Sequence, residues 1–149
     1  MEAPEGWMRF VTPTYDMLSK DGPFLQYIFV QERELSKSFK NTRQHLDADM
    51  LPHEAAQVIV DSLKADPQIR DFALLKNTPN QVGGRAGFKL VYTYRDHQGL
   101  AMQSIYYGTV NGSYFFNIRY TATQRHYFAA DLDTFIKVVD SLLLAQPPA

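Results

Sequence analysis

The residues with the most chemical content interrupt an otherwise apolar run. In Tyr114-Phe115-Phe116-Asn117-Ile118-Arg119-Tyr120, an amide and a guanidinium sit among aromatic and branched side chains. A guanidinium presents five N–H donors and stays charged, so inside packed structure it requires acceptors. Strand pairing collects Tyr92, Ser104 and Tyr106 on the same face as Asn117 and Arg119. Two readings of this five-residue patch stay open. Either tyrosine hydroxyls, a helix carboxylate or backbone carbonyls satisfy Arg119 internally, or the patch borders a cleft between sheet and helix that binds an acidic or aromatic partner group.

Other clusters point to less. His45-x-Asp47-x-Asp49 with His53 groups hard metal ligands, yet the spacing matches no zinc or EF-hand pattern. A solvated loop before a helix is the expectation, with no metal. Gly83-Gly84-Arg85-Ala86-Gly87 lacks the Gly-Lys-Ser/Thr of a phosphate loop and precedes a strand, so it reads as a turn. No Gly-x-Ser-x-Gly occurs, and Ser104 and Ser141 have no histidine near them in sequence. His97 falls in a hairpin tip and His126 beside Arg125 in a loop. Lys37, Lys40 and Arg43 around Phe39 form a charged, solvated face. The expectation is a protein with no catalytic residues, no metal and no cofactor.

Composition agrees. The 149 residues carry a formal net charge of -1, with 45% apolar and 21% charged types and no Cys. The length suits one domain, 1–149. The balanced charge argues against a nucleic-acid binder, which needs a basic surface to release counterions. No apolar run approaches the ~20 residues of a membrane span. Absent cysteine removes disulfides, thiolate catalysis and Cys-ligated zinc. The start Met1-Glu2-Ala3-Pro4-Glu5-Gly6 has neither the basic nor the apolar region of a signal peptide.

These side chains need a scaffold. A short edge strand is expected at Trp7–Val11, before Thr12-Pro13. After the turn Asp21-Gly22-Pro23, Phe24–Val30 reads as a strand buried on both faces. Residues 31–49 turn polar and predict the longest irregular, most mobile stretch. Pro52 opens a helix through Leu63, with Ala55, Ala56, Ile59, Val60 and Leu63 on one face, and Asp66-Pro67 ends it. Ile69–Lys76 reads as a strand, and Asn77–Asn80 with Gly83-Gly84 as a loop. Three strands follow, near 87–95, 100–110 and 113–120. Asp131 caps a last helix whose stripe is Leu132, Phe135, Ile136, Val139, Leu142 and Leu143.

Turn chemistry predicts registers. Asn111-Gly112 reads as a two-residue type I′ loop pairing Val110 with Ser113, hence Tyr107 with Phe116 and Ser104 with Arg119. His97-Gln98-Gly99 reads as a three-residue loop pairing Tyr94 with Met102 and Tyr92 with Ser104. One face then carries Phe88, Leu90, Tyr92, Tyr94, Met102, Ser104, Tyr106, Asn117 and Arg119. The other carries Lys89, Val91, Thr93, Gln103, Ile105, Tyr107, Tyr114, Phe116, Ile118 and Tyr120. Neither is polar throughout, so the expectation is an α+β fold, an antiparallel sheet flanked by helices on both faces in an α/β/α sandwich.

The order of these pieces resembles the PsbP-like superfamily, including its bacterial lipoprotein and secreted members. The matching pieces are Arg9-Phe10-x-x-Pro13, Asp21-Gly22, the helix opened by Pro52, Asn77-x-Pro79, Gly83-Gly84-x-x-Gly87-Phe88 and Tyr92-x-Tyr94-x-Asp96-x-x-Gly99. Tyr106-Tyr107-Gly108, Tyr114-Phe115-Phe116-x-Ile118-x-Tyr120-x-Ala122 and Phe135-x-x-Val138-Val139-x-Ser141-Leu142 complete the series. The resemblance implies a non-enzymatic binding or assembly protein with a protein partner. It also implies a bacterial cell-envelope or secreted location, where any lipid-bearing cysteine would precede Met1. The alternative from the residues alone is a small-ligand carrier, or an enzyme working in an aromatic-lined cleft.

Overall fold

The computed structural model describes residues 8–11, 15–19, 26–124 and 132–137. Strands β1 (Met8–Val11), β2 (Tyr15–Ser19), β3 (Gln26–Glu34), β4 (Arg70–Val82), β5 (Arg85–Arg95), β6 (Ala101–Asn111) and β7 (Tyr114–Thr123) form one sheet. Its order is β1-β2-β3-β7-β6-β5-β4 and every neighbouring pair is antiparallel. Helix α1 (Pro52–Ala65) joins β3 to β4 at the far edge and packs over β4, β5 and β6. Pro52 opens it, and the Glu54 carboxylate accepts the Leu51 N–H at 3.0 Å, answering one orphan donor of the first turn. At the other end the Asp66 N–H reaches back to the Leu63 carbonyl before Pro67 stops the helix.

Side-chain alternation divides the sheet as the sequence predicts. On one face Phe88, Leu90, Tyr92, Tyr106 and Phe115 pack with Ala55, Ala56, Ile59, Val60 and Leu63 of α1. On the other, Ile28, Val82, Ile105, Phe116, Ile118, Tyr120 and Ala122 form a second core. Phe135, from helical residues 132–137, stands in that core with its ring 5.2 Å from Tyr120 and 6.1 Å from Tyr107.

The two hairpins behave differently. β5 and β6 pair Tyr94 with Met102 and Tyr92 with Ser104, as expected from the Gly99 loop. β6 and β7 pair Asn111 with Tyr114, Tyr107 with Ile118, Ser104 with Thr121 and Tyr106 with Arg119, two residues away from the expected register. The turn residues are Gly112 and Ser113, and of the two Gly112 alone has a positive φ, +61°. A type II′ loop asks that of its first central residue only, so Asn111 is free to close the ladder. Because side chains alternate with period two, a two-residue slip leaves every residue on its predicted face.

Three further expectations are corrected. β2 has no counterpart in the sequence reading. β3 continues through Gln31, Glu32, Arg33 and Glu34, because β7 supplies a pairing partner for each. β4 runs through Asn77–Asn80, with Pro79 opposite Phe88. Pro79 is tolerated because β4 is the edge of the sheet, where one side needs no ladder donor. Gly83-Gly84 then forms the hairpin loop, both residues with positive φ. The polar stretch after β3 is not without anchors, since Leu35 and Leu46 are buried in the α1 core. The expectations for Trp7, the Asp21-Gly22-Pro23 turn, His126, the Asp131 cap, Val139, Leu142, Leu143 and the last helix beyond 137 fall outside the described residues.

Candidate functional site

Because α1 lies over β4–β6, the β3–β7 part of that face meets the flank of the helix. A cleft of about 180 Å³ opens there, lined from β3 by Gln31 and Arg33 and from β6 and β7 by Tyr106, Asn117 and Arg119. The helical side supplies Ile59, Ser62, Leu63, Asp66 and Ile69, and Phe39 closes one end.

Arg119 is half-buried in its wall. Its guanidinium carbon lies 4.6 Å from the centre of the Phe29 ring and 5.6 Å from that of Tyr106. Both rings present the negative face that attracts a cation. The Tyr92 hydroxyl is within hydrogen-bonding reach of Arg119 and Ser104, and Ser104 Oγ in turn lies 2.7 Å from Thr121 Oγ1. The Arg119 Nε is buried without a hydrogen-bond partner. Among the described residues, no carboxylate forms an ion pair with Arg119. Burial works against its charge, but the hydroxyls of Tyr27, Tyr92 and Tyr106 more than offset that, and its pKa lies above the ordinary arginine value. Burial likewise raises the tyrosine pKa of Tyr92, Tyr94 and Tyr106, so all three stay neutral.

The five predicted site residues therefore do converge, but at two depths. Tyr106, Asn117 and Arg119 line the cleft. Tyr92 and Ser104 are buried and are not among the lining residues; Tyr92 reaches Arg119 from behind, and Ser104 reaches Tyr92. They cannot touch a ligand directly, because the β4 ring of Phe72 covers Tyr92 at 5.4 Å and Ser104 is engaged with Thr121.

Arg33 and Gln31 are site residues that the sequence reading missed. Arg33 Nη2 donates to the carbonyls of Lys37 and Ser38 at 3.1 and 2.8 Å, and its guanidinium covers Phe39 at 3.9 Å. Desolvation lowers its pKa below the usual value. Gln31 pairs with Asn117 across the ladder, and its Oε1 accepts the Asn117 amide at 3.4 Å. Their signal was present but unreadable: a strand extended four residues past Val30 puts Gln31 and Arg33 on the Phe29 face.

The histidine–aspartate cluster does not assemble a metal centre. His45 Nε2 lies 3.4 Å from Asp47 Oδ1 in an exposed loop, and among the described residues no three metal-ligating side chains converge. No helix among the described residues is long and apolar enough to cross a membrane.

No protein-family model matches the sequence, and no curated protein matches it. Solved structures do resemble the fold. LpqN of Mycobacterium tuberculosis, involved in cell envelope biogenesis, superposes with a TM-score of 0.62 at 15% identity, over 94% of this chain and 78% of that one. Cyanobacterial PsbP (CyanoP) of Synechocystis gives 0.59 at 12% identity, over 93% and 81%. The Ran-binding protein Mog1p of Saccharomyces cerevisiae gives 0.56 at 13% identity, over 95% and 83%. With one antiparallel sheet and α1 laid across it, this chain has the Mog1/PsbP-like α+β fold.

Proposed function

We propose that this chain is a non-catalytic binding or assembly protein of the bacterial cell envelope, and that a protein partner seats on the cleft between β3, β7 and α1. The observation that carries this is Arg119: a half-buried cation in the wall of a cleft, backed by neutral tyrosines and matched by no acid among the described residues. A buried charge normally finds its countercharge within its own structure. One that does not is available to a partner.

The size of this cleft favours a protein side chain over a small ligand as its occupant. About 180 Å³ falls below the roughly 300–1,000 Å³ of sites for drug-sized ligands and cofactors. It is room for one side chain. Ser62 is the aliphatic hydroxyl among the described lining residues, and no histidine stands beside it to act as a base. The fold neighbours agree with a binding role, Mog1p being Ran-binding, and LpqN supports the envelope assignment. In this reading residues 1–149 act as a single domain with helices on both faces of the sheet, which the packing of Phe135 on Tyr107 and Tyr120 supports.

Site-specific photo-crosslinking in the native cell tests it. A photoreactive residue at Ser62, beside the cleft, is expected to give one discrete protein adduct that disappears in Arg119→Gln. The same residue at Gln103, on the opposite face, is expected to give none. An adduct pattern identical from both positions, or unaffected by Arg119→Gln, would overturn the proposal.

A further inference from the structure

The described lining residues of the cleft do not balance their own charge. Among them are two arginines, Arg33 from β3 and Arg119 from β7, against one carboxylate, Asp66. The Asp66 carboxylate is directed along its own turn, where Oδ1 accepts the Gln68 N–H at 2.9 Å. Neither arginine forms an ion pair among the described residues. Arg33 donates to two backbone carbonyls, and the Tyr92 hydroxyl is within reach of Arg119, so the acceptors found for both among the described residues are uncharged.

The ladder fixes how the two cations are spaced. Phe29 pairs with Arg119, Gln31 with Asn117, and Arg33 with Phe115. Gln31 and Asn117 thus form the floor midway between an arginine on each side. The opposing wall is different in kind, with Ile59, Leu63, Ile69 and the Phe39 ring presenting carbon. A ligand matching this arrangement has a compact anionic head and a short apolar stem.

We infer that the cleft receives a carboxylate on such a stem, specifically the side chain of a glutamate from the protein partner, its oxygens shared between Arg119 and Arg33 over the Gln31 amide and its methylenes against Ile59 and Leu63. This rests on the reading of the cleft as the partner's seat. Two arginines against one aspartate leave one positive charge, which a carboxylate neutralises. A phosphate monoester, at about −1.5 to −2, would overshoot that balance. A neutral aromatic group would leave that residual positive charge unanswered.

Titration followed through the arginine side-chain N–H resonances by NMR tests the inference. The probes are a blocked tripeptide, acetyl-Ala-Glu-Ala-amide, its Gln counterpart, sodium butyrate and inorganic phosphate. The Glu peptide is expected to shift the Arg119 and Arg33 resonances saturably, with the Gln peptide silent and butyrate and phosphate weaker. Arg119→Gln and Arg33→Gln should each weaken the Glu peptide at least about ten-fold, as loss of a charge-assisted hydrogen bond implies. Arg33 lies nearer the surface, so its variant keeps the test sound if Arg119→Gln unfolds. Equal response to the Glu and Gln peptides would overturn the anionic recognition. Phosphate or butyrate binding tighter than the peptide would overturn the assignment to a protein carboxylate and point to a phosphoryl group or a free acid. If no probe binds while the Ser62 adduct still depends on Arg119, this inference fails and the partner-binding reading stands. If the Glu peptide binds but no adduct forms, the partner-binding reading fails instead.

Discussion

Arg119 lies directly across the ladder from Phe29 and stacks its guanidinium on that ring, 4.6 Å from the centroid. The contact joins β7 to β3, two strands separated in sequence by most of the chain. It explains how a cation is held in place with no acid beside it among the described residues. The aromatic faces of Phe29 and Tyr106 and the Tyr92 hydroxyl surround it at the cleft.

Replacing that arginine should therefore reveal function more than stability. In Arg119→Met no carboxylate among the described residues is stranded and a partly desolvated charge is removed. The expected change in urea-unfolding free energy is within about 1 kcal/mol of the parent, or stabilising, since apolar replacement of buried charge is often neutral or better. A loss above about 3 kcal/mol, the size seen when a buried pair is broken, would make the residue structural.

Alkaline pH should destabilise the fold through its tyrosines. Burial raises the folded-state pKa of Tyr92, Tyr94 and Tyr106 above the ordinary 10.0. The folded state then binds more protons than the unfolded chain once pH exceeds the unfolded value. Their contribution is fully present below about pH 10 and declines as pH rises past it toward the folded values. Tyrosinate absorbance and circular dichroism recorded together should show these three ionising only as the fold is lost. Complete ionisation of all nine tyrosines with the dichroism intact would refute this.

Gly108 pairs with Phe88 across β5 and β6, which places Gly87 one register step away. A Cβ on Gly87 would collide with the Gly108 carbonyl oxygen, and one on Gly108 would lie 2.5 Å from Phe88 Cζ and 2.7 Å from Phe115 Cζ. Gly87→Ala and Gly108→Ala should each cost about 1–3 kcal/mol, as overpacking of a filled core does. Gly87→Ala should be the worse, because the atom it meets is backbone. Denaturant midpoints for the two variants give the comparison.

The β6–β7 turn offers a sharper test of register. Gly112 carries φ +61°, whereas Asn111 is a paired strand residue opposite Tyr114. Gly112→Val should cost on the order of 1 kcal/mol or more from the left-handed conformation. Asn111→Thr should be neutral or slightly stabilising, as a β-branched residue in a ladder position. Thermal unfolding in which Asn111→Thr is the more damaging variant would restore the Asn111-Gly112 loop.

Leu46 measures how firmly residues 35–50 are tied down. It is 2% exposed within the α1 core despite its polar surroundings in sequence. Leu46→Ala should cost about 2–5 kcal/mol, the usual penalty for truncating a buried leucine. A cost under about 1 kcal/mol, by urea unfolding, would mean that the segment contributes little to the core.

Periodicity and local turn chemistry determined the helix from Pro52, the Gly99 hairpin and the division of the sheet into two faces. These are local properties: period two survives a register slip, and a helical stripe needs no knowledge of what it packs against. That is why Tyr92, Ser104, Tyr106, Asn117 and Arg119 share one face of the sheet although Ser104 opposes Thr121 and not Arg119. Tertiary structure decided what periodicity could not. Gln31 and Arg33 read as loop because a strand of polar residues is held by its partner's ladder, here β7, which lies more than eighty residues away. Asn77–Asn80 reads as a loop because only the position of β4 at the sheet edge makes its proline harmless. The depth of each site residue depended on where α1 crosses the sheet: over β4, β5 and β6, burying Tyr92 and Ser104 and leaving Arg119 at the margin of a cleft.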